Sequence, residues 1–221
     1  MCGRFTLSQP IDAIASAFNL RQVPPLEPRY NIAPTQLVPA ILQPSAQNEK
    51  QLQMLRWGLI PSWAKEPNIG VKLINARAET VSEKPSFKAA FKRRRCLIVA
   101  DGFYEWQRQE GKKQPYYFRL KNLQAFAFAG LWEHWLSPDA QTITSCTILT
   151  TEANDVLRPI HDRMPVIIDP KDYLLWLNPA IQTEQLLPLL RPYQADLMTS
   201  YAVSNKVNSP KNNTPECINS L

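Results

Sequence analysis

Glycine is scarce in this chain, six residues in 221, and histidine is scarcer still at two. The first shortage leaves no glycine-rich loop of the kind that cradles phosphates between a strand and a helix. The second excludes a histidine-rich metal centre. Four cysteines, Cys2, Cys96, Cys146 and Cys217, stand 94, 50 and 71 positions apart, so no metal-knuckle spacing exists. Cys96 and Cys146 lie in apolar segments and read as reduced core positions. No cofactor and no metal is expected. Long apolar runs are missing as well: the longest clean stretch, residues 125–132, is far too short to cross a bilayer, and no apolar signal segment opens the chain. Together these absences predict a soluble, cytoplasmic protein without a membrane partner.

What remains is enough for one substantial core. Hydrophobic residues make up 44% and aromatic residues 10%, which excludes wholesale disorder. A single domain over residues 2–201 is expected. Residues 202–221, rich in Ser, Asn, Lys and Pro, read as a flexible tail that need not fold. The net charge of +6 is regional: residues 53–121 hold 15 Lys or Arg against 6 Asp or Glu, whereas the remainder is slightly acidic. The basic stretch includes Lys92 to Arg95 and the pair Lys112, Lys113. Such a field attracts a polyanion without specifying base sequence, and it equally describes a solvated basic face.

The element pattern is strand-dominated. Ile11 to Phe18 reads as a short helix, with Ser8 and Pro10 as cap and first-turn signals. Prolines interrupt residues 21–44, which read as an ordered loop wrapping the core. Strands are predicted at 51–58, Arg95 to Ala100, 114–120, 124–132, 142–150 and 166–168, with Lys121 and Asn122 joining the 114–120 and 124–132 segments as a hairpin. Short helices are predicted at 86–91, 169–176 and 183–190. The run 75–80 places Asn75, Arg77 and Glu79 on one face if it is a strand. The resulting class is α+β, with a β-sheet or barrel-like core and peripheral helices.

Position 2 carries unusual chemistry. Removal of Met1 leaves the thiol and a free α-amine on one residue, Cys2, and that pair closes a five-membered thiazolidine ring on an aldehyde. The amine gives an iminium ion and the sulfur adds to the same carbon. Ordinary values of about 7.7 to 8 for an α-amine and about 8.5 for a thiol leave each partly nucleophilic near neutrality. Elsewhere, Glu105 follows an apolar strand among Phe103, Tyr104 and Trp106, where desolvation raises a carboxyl pKa toward a useful range; a surface glutamate between core aromatics fits equally. His161 occupies a proline-bounded turn beside Asp162 and Arg163, able to hold an imidazole rigidly. Asn75 can orient a substrate oxygen or the terminal amine. Arg77 and Arg163 can clamp phosphates, Arg4 travels with Cys2, and Trp63 can stack on a base, although most of the six tryptophans read as core. His134 reads as packing or surface.

Six blocks in this order, Met1 to Phe5, Tyr30-Asn31, Trp57 to Pro61, Asn75 to Glu79, Asp101 to Trp106 and Pro159 to Pro165, resemble the SOS-response-associated peptidase (SRAP) domain family. The resemblance spans residues 2–201. It implies a stand-alone bacterial-type protein, most simply a monomer, that binds single-stranded DNA at abasic sites, including junction DNA, and crosslinks to them through mature Cys2. By the same resemblance Asn75 positions the amine or sugar, Glu105 moves protons and assists reversal, and His161 assists sugar opening. Arg77 contacts the DNA backbone, with Arg4 and Arg163 on the same surface. Lyase activity, peptidase-like self-processing and nucleoid association also follow from it. Two other classes stay open on the residues alone: an amidase or peptidase using Cys2 as an N-terminal nucleophile, and a noncatalytic single-stranded-DNA-binding module.

Overall fold

The computed structural model describes residues 2–45, 49–109 and 111–221. Met1 lies outside the described residues. Thirteen strands appear among them: β1 (Phe5–Leu7), β2 (Arg29–Ile32), β3 (Leu37–Leu42), β4 (Gln51–Trp57), β5 (Asn75–Arg77), β6 (Arg95–Ala100), β7 (Gly102–Gln109), β8 (Lys112–Leu120), β9 (Phe126–Leu136), β10 (Thr142–Glu152), β11 (Arg163–Pro165), β12 (Ile167–Ile168) and β13 (Met198–Ala202). Four short α-helices, α1 (Ile11–Phe18), α2 (Lys88–Arg93), α3 (Tyr173–Leu177) and α4 (Thr183–Leu186), lie between them.

Strands β10, β4, β3, β6 and β9 pair in that order, and β9 returns to β10, so five strands close into a barrel. Closure removes the sheet edges that would otherwise expose unpaired backbone groups. β6 and most of β9 are buried on both faces rather than alternating, because the barrel interior lies on one side and α2, α3 and β1 pack on the other. The β10–β4 and β10–β5 pairings are parallel. A second sheet, in the order β13-β8-β7-β1-β2, packs on the barrel. Phe5 of β1 and Phe103 of β7 meet Phe128 of β9 edge-on, and Phe5 also meets Trp57 with ring centroids 5.2 Å apart.

Several sequence expectations give way here. The predicted hairpin between residues 114–120 and 124–132 does not form: β8 is flanked by β7 and β13, whereas β9 belongs to the barrel. The connection turns at Leu123, in left-handed backbone with φ 60°, and carries the chain from one sheet to the other. The proline-rich stretch contains β2 and β3. Pro39 sits within β3 just before its pairing with β6 begins at Ala40, where a missing N–H removes no ladder bond on that side. Helix α1 starts as expected, but Ser8 does not cap it; its N–H and hydroxyl both donate to Asp101 Oδ2, at 2.6 and 2.8 Å.

The segment after Ala202, expected as a loose tail, is ordered and packed. Val203, Val207 and Cys217 are buried with Tyr104 and Tyr117, and Val203 bridges to Ser220. Val203, Val207 and Ile218 are spaced so that they pack with Tyr104 and Tyr117 of the second sheet, while Leu221 stays exposed. Its backbone carbonyls are satisfied by Asn31, whose Nδ2 donates to Val207, Ser209 and Asn212 at 2.7–3.2 Å. Composition hides this, because the stabilising contacts are made by backbone and by three well-placed side chains.

Candidate active site

The amino-terminal arm is held on both sides before it reaches β1. Asp101, at the β6–β7 corner, takes the Thr6 hydroxyl on Oδ1 and the Ser8 and Gln9 N–H groups on Oδ2. Arg4 is fixed from the other side: its Nη1 donates to Asn31 Oδ1 at 2.7 Å and to Val207 O at 2.9 Å, and its guanidinium lies over the Trp106 ring. Tyr104 N–H donates to Arg4 O, continuing the contact between the arm and β7. The register leaves Cys2 no freedom to wander.

Cys2 is fully buried, with no exposed surface. Asn75, on β5, donates from Nδ2 to Cys2 O at 2.8 Å, while its Oδ1, also buried, has no hydrogen-bond partner among the described residues. Burial pushes the Cys2 thiol pKa well above its ordinary range, and the nearby Glu105 carboxylate pushes it further. The expectation of a partly ionised thiol is therefore corrected: in this surrounding the sulfur stays protonated and needs a base.

Glu105 is 3% exposed on β7, and burial raises its carboxyl pKa from 4.5 to about 7. It lines an open cleft of about 950 Å³ together with Gly3, Arg4, Trp106 and His161. Near neutrality this carboxyl exists in both protonation states, which suits a group that gives and takes protons in one cycle. His161 Nδ1 accepts from Arg163 N–H at 3.0 Å, which leaves the proton of the neutral ring on Nε2. The solvent-facing Asp162 carboxylate approaches the same nitrogen at 2.9 Å and favours the charged ring, but burial outweighs it and lowers the imidazole pKa. Glu105 and His161 thus share the cleft lining, while Cys2, bonded to Asn75 and within electrostatic reach of Glu105, is buried next to Glu105 and is not itself among the lining residues.

The raised Glu105 pKa carries a stability consequence. Because the folded state holds this proton more tightly than the unfolded chain, wild-type stability falls as pH rises through the window from 4.5 to about 7. A shift of that size corresponds to roughly 3 kcal/mol at most. Glu105→Gln is expected to melt higher than wild type at pH 8 and to lose that advantage at pH 4, as measured by thermal unfolding of both proteins across pH.

The four residues expected to bind DNA are placed less uniformly. Arg77 is exposed at the end of β5 and Trp63 is 59% exposed on a loop anchored by the Trp135 Nε1 to Ala64 O bond at 2.7 Å. Neither is among the cleft-lining residues. Arg4 lines the cleft, with two nitrogens already committed, Nη1 to Asn31 and Val207 and Nε to Gly3 O. Arg163, expected to clamp phosphate, turns instead to Glu79 in a bidentate pair at 2.6 and 2.9 Å and donates to Thr150 O. Its charge is neutralised there, and it braces the turn that holds His161. Sequence reasoning passed over Asn31 and Asp101, which hold the arm, and Trp106, which it counted as core although the ring borders the cleft and donates to Asn208 Oδ1 at 2.7 Å. An Asn or Asp between apolar strand residues was the available signal.

All four cysteines are free and buried, and no group of three His, Cys, Asp or Glu side chains among the described residues could hold a metal ion. No helix among the described residues is long and apolar enough to cross a membrane.

Comparison with known proteins agrees with this geometry. The abasic site processing protein YoqW of Bacillus subtilis (strain 168) is 50% identical over the full length of both chains. The abasic site processing protein HMCES of Xenopus tropicalis is 36% identical, across 87% of this chain and 66% of that one. A solved structure of a protein from Bacteroides thetaiotaomicron superposes over the whole of both chains with a TM-score of 0.88 at 27% identity. The family model described as SOS response associated peptidase (SRAP) matches residues 1–210, and with barrel, arm and cleft in place the chain belongs to that family.

Proposed function

We propose that this protein processes abasic sites in single-stranded DNA by capturing them covalently on Cys2 after Met1 is removed. The observation that carries the reading is the meeting of the Cys2 arm with Asn75 and a half-ionised Glu105 beside an open cleft. The relatives named as abasic site processing proteins support the substrate.

The chemistry runs on these side chains. A closed abasic sugar presents little free aldehyde; neutral His161, with its proton on Nε2, donates a hydrogen bond to the ring oxygen as the hemiacetal opens, and the proton of the C1′ hydroxyl passes to that oxygen through water. The Cys2 amine adds to the C1′ aldehyde to give a carbinolamine, and Glu105 in its acid form protonates the departing hydroxyl, which leaves as water. The Glu105 carboxylate so formed takes the thiol proton, sulfur adds to the iminium carbon, and a thiazolidine closes. One C–N and one C–S bond form and one water is lost. Asn75 holds the Cys2 carbonyl through Nδ2, and its open Oδ1 acceptor suits the new α-amine. The reverse sequence, with Glu105 protonating nitrogen or sulfur, releases the lesion. Lyase action would follow from strand cleavage at the iminium stage, and peptidase-like action would be confined to removal of Met1. An unpaired, base-free nucleotide enters such a cleft without the unstacking cost an intact base incurs.

The experiment is a denaturing gel of protein incubated with three oligonucleotides: one with an abasic site, one intact, and one with a tetrahydrofuran site that lacks the aldehyde. A denaturation-resistant complex with the first alone is expected. A complex with all three, or with none, would contradict the reading, and turnover of peptides through an acyl-enzyme would favour an amidase. Exposed Arg77 is proposed as a backbone contact: Arg77→Ala should weaken binding of all sequences alike and make the salt dependence shallower by about 0.7 in logarithmic slope, measured by anisotropy across a salt titration. Action as a monomer and at junctions belongs to the same proposal.

A further inference from the structure

Arg108 and Lys113 stand directly opposite each other across the β7–β8 pair, and both are exposed. Cross-strand partners project from the same face with Cβ atoms about 4.5–5.5 Å apart, and like charges so placed repel. Neither side chain forms an ion pair among the described residues. The fold gains nothing visible from this pairing, so the repulsion calls for an anion.

The position indicates which anion. Both residues line the cleft that holds Glu105 and His161. Strand pairing of β1 with β7 ends at Phe5 and Phe103, so from Glu105 to Arg108 that side of β7 pairs with no strand and faces the cleft, across which Gln107 donates to Pro159 O. Three residues along a strand span about 10 Å and reverse the face, so Arg108 and Lys113 meet this cleft from the face of β7 opposite Glu105, within a nucleotide or two of a sugar reacting there. Arg108 also reaches His161 electrostatically, adding to burial in keeping that ring neutral. Asp162, the other acid of the cleft, lies 2.9 Å from His161 Nδ1 and forms no ion pair with Arg108 or Lys113 among the described residues.

We propose that Arg108 and Lys113 form a phosphate clamp that grips the strand on one side of the lesion and so selects sites that are followed by a further nucleotide. A tetrahedral phosphodiester offers two unesterified oxygens, one to each cation, and arginine suits the bidentate side of such a contact. The clamp rests on the DNA-processing reading above.

The test uses the tetrahydrofuran oligonucleotide, which cannot crosslink, so affinity is read apart from chemistry. R108Q/K113Q should bind it about tenfold more weakly, with a salt slope shallower by about 0.7, the single-strand value for one phosphate. Its melting temperature should equal or exceed that of wild type, because a like-charge pair is gone. Replacing single phosphates near the site by uncharged methylphosphonates should weaken wild type at one position within two nucleotides and leave the double variant indifferent at that position. Equal affinity and slope for the two proteins, or equal sensitivity to every methylphosphonate, would overturn the clamp. Failure of wild type to crosslink abasic DNA would sink the covalent reading instead, and is scored in a separate reaction.

Discussion

Cys2→Ala is expected to leave no denaturation-resistant complex with abasic DNA, a loss of at least two orders of magnitude in adduct yield, while noncovalent affinity stays within a few-fold of wild type. The reason is ring closure. Alanine keeps the α-amine after Met1 removal and so still forms an imine, but an imine hydrolyses, whereas sulfur addition converts it to a cyclic aminal-type product. Borohydride separates the two states: reduction should trap the alanine variant on DNA and should be unnecessary for wild type. Asn75 donates to the main-chain carbonyl of Cys2, so the substitution leaves the positioning bond in place. Undiminished stable adduct on the variant would remove Cys2 from the chemistry.

The second large effect is on rate. Glu105→Gln should slow both capture and release of the lesion by about a hundredfold or more, the range in which positioned acid–base groups operate. Burial and the carboxylate itself raise the Cys2 thiol pKa, so in the proposed cycle an amide that cannot accept the proton leaves sulfur inert. The dependence on pH supplies a sharper check. In wild type the observed rate should bend near pH 7, where the Glu105 carboxyl titrates, and the bend should vanish in the variant. A variant with wild-type kinetics and the same bend would assign the inflection, and the proton transfer, to another group.

Much of this was legible before any coordinates. Arg95 to Ala100 reads as a strand because five consecutive apolar residues, Cys96 to Ala100, follow Arg95, and it is β6 with those bounds. Helix α1 likewise keeps its predicted ends. The hairpin failed because local turn signals say where a chain bends and nothing about which sheet the next strand joins. Closure of the barrel through the parallel β10–β4 contact, between strands almost a hundred residues apart, leaves no mark in local periodicity. Proline in β3 was misread for a related reason: its effect depends on which neighbour lies on the side of the missing N–H.

The site divides in the same manner. Glu105 was marked by its aromatic flanks and His161 by its proline-bounded turn; burial does raise the Glu105 carboxyl pKa, and His161 lines the same cleft. Their convergence with Cys2 and Asn75 came from the order of six sequence blocks rather than from any one spacing. Arg163 shows the limit of residue type as a guide, since its guanidinium serves Glu79 and not the cleft. The segment after Ala202 shows the limit of composition: Asn31 secures it through three backbone carbonyls that no tally of residues reveals.

The most direct measurement is the intact mass of the purified protein before and after incubation with an oligonucleotide bearing one abasic site. The expected spectrum shows protein lacking Met1, converted to a one-to-one species whose mass is the sum of protein and oligonucleotide less one water, stable without reductant. Protein that has lost Met1, is folded, and yet shows only its own mass beside free oligonucleotide would contradict covalent capture by Cys2.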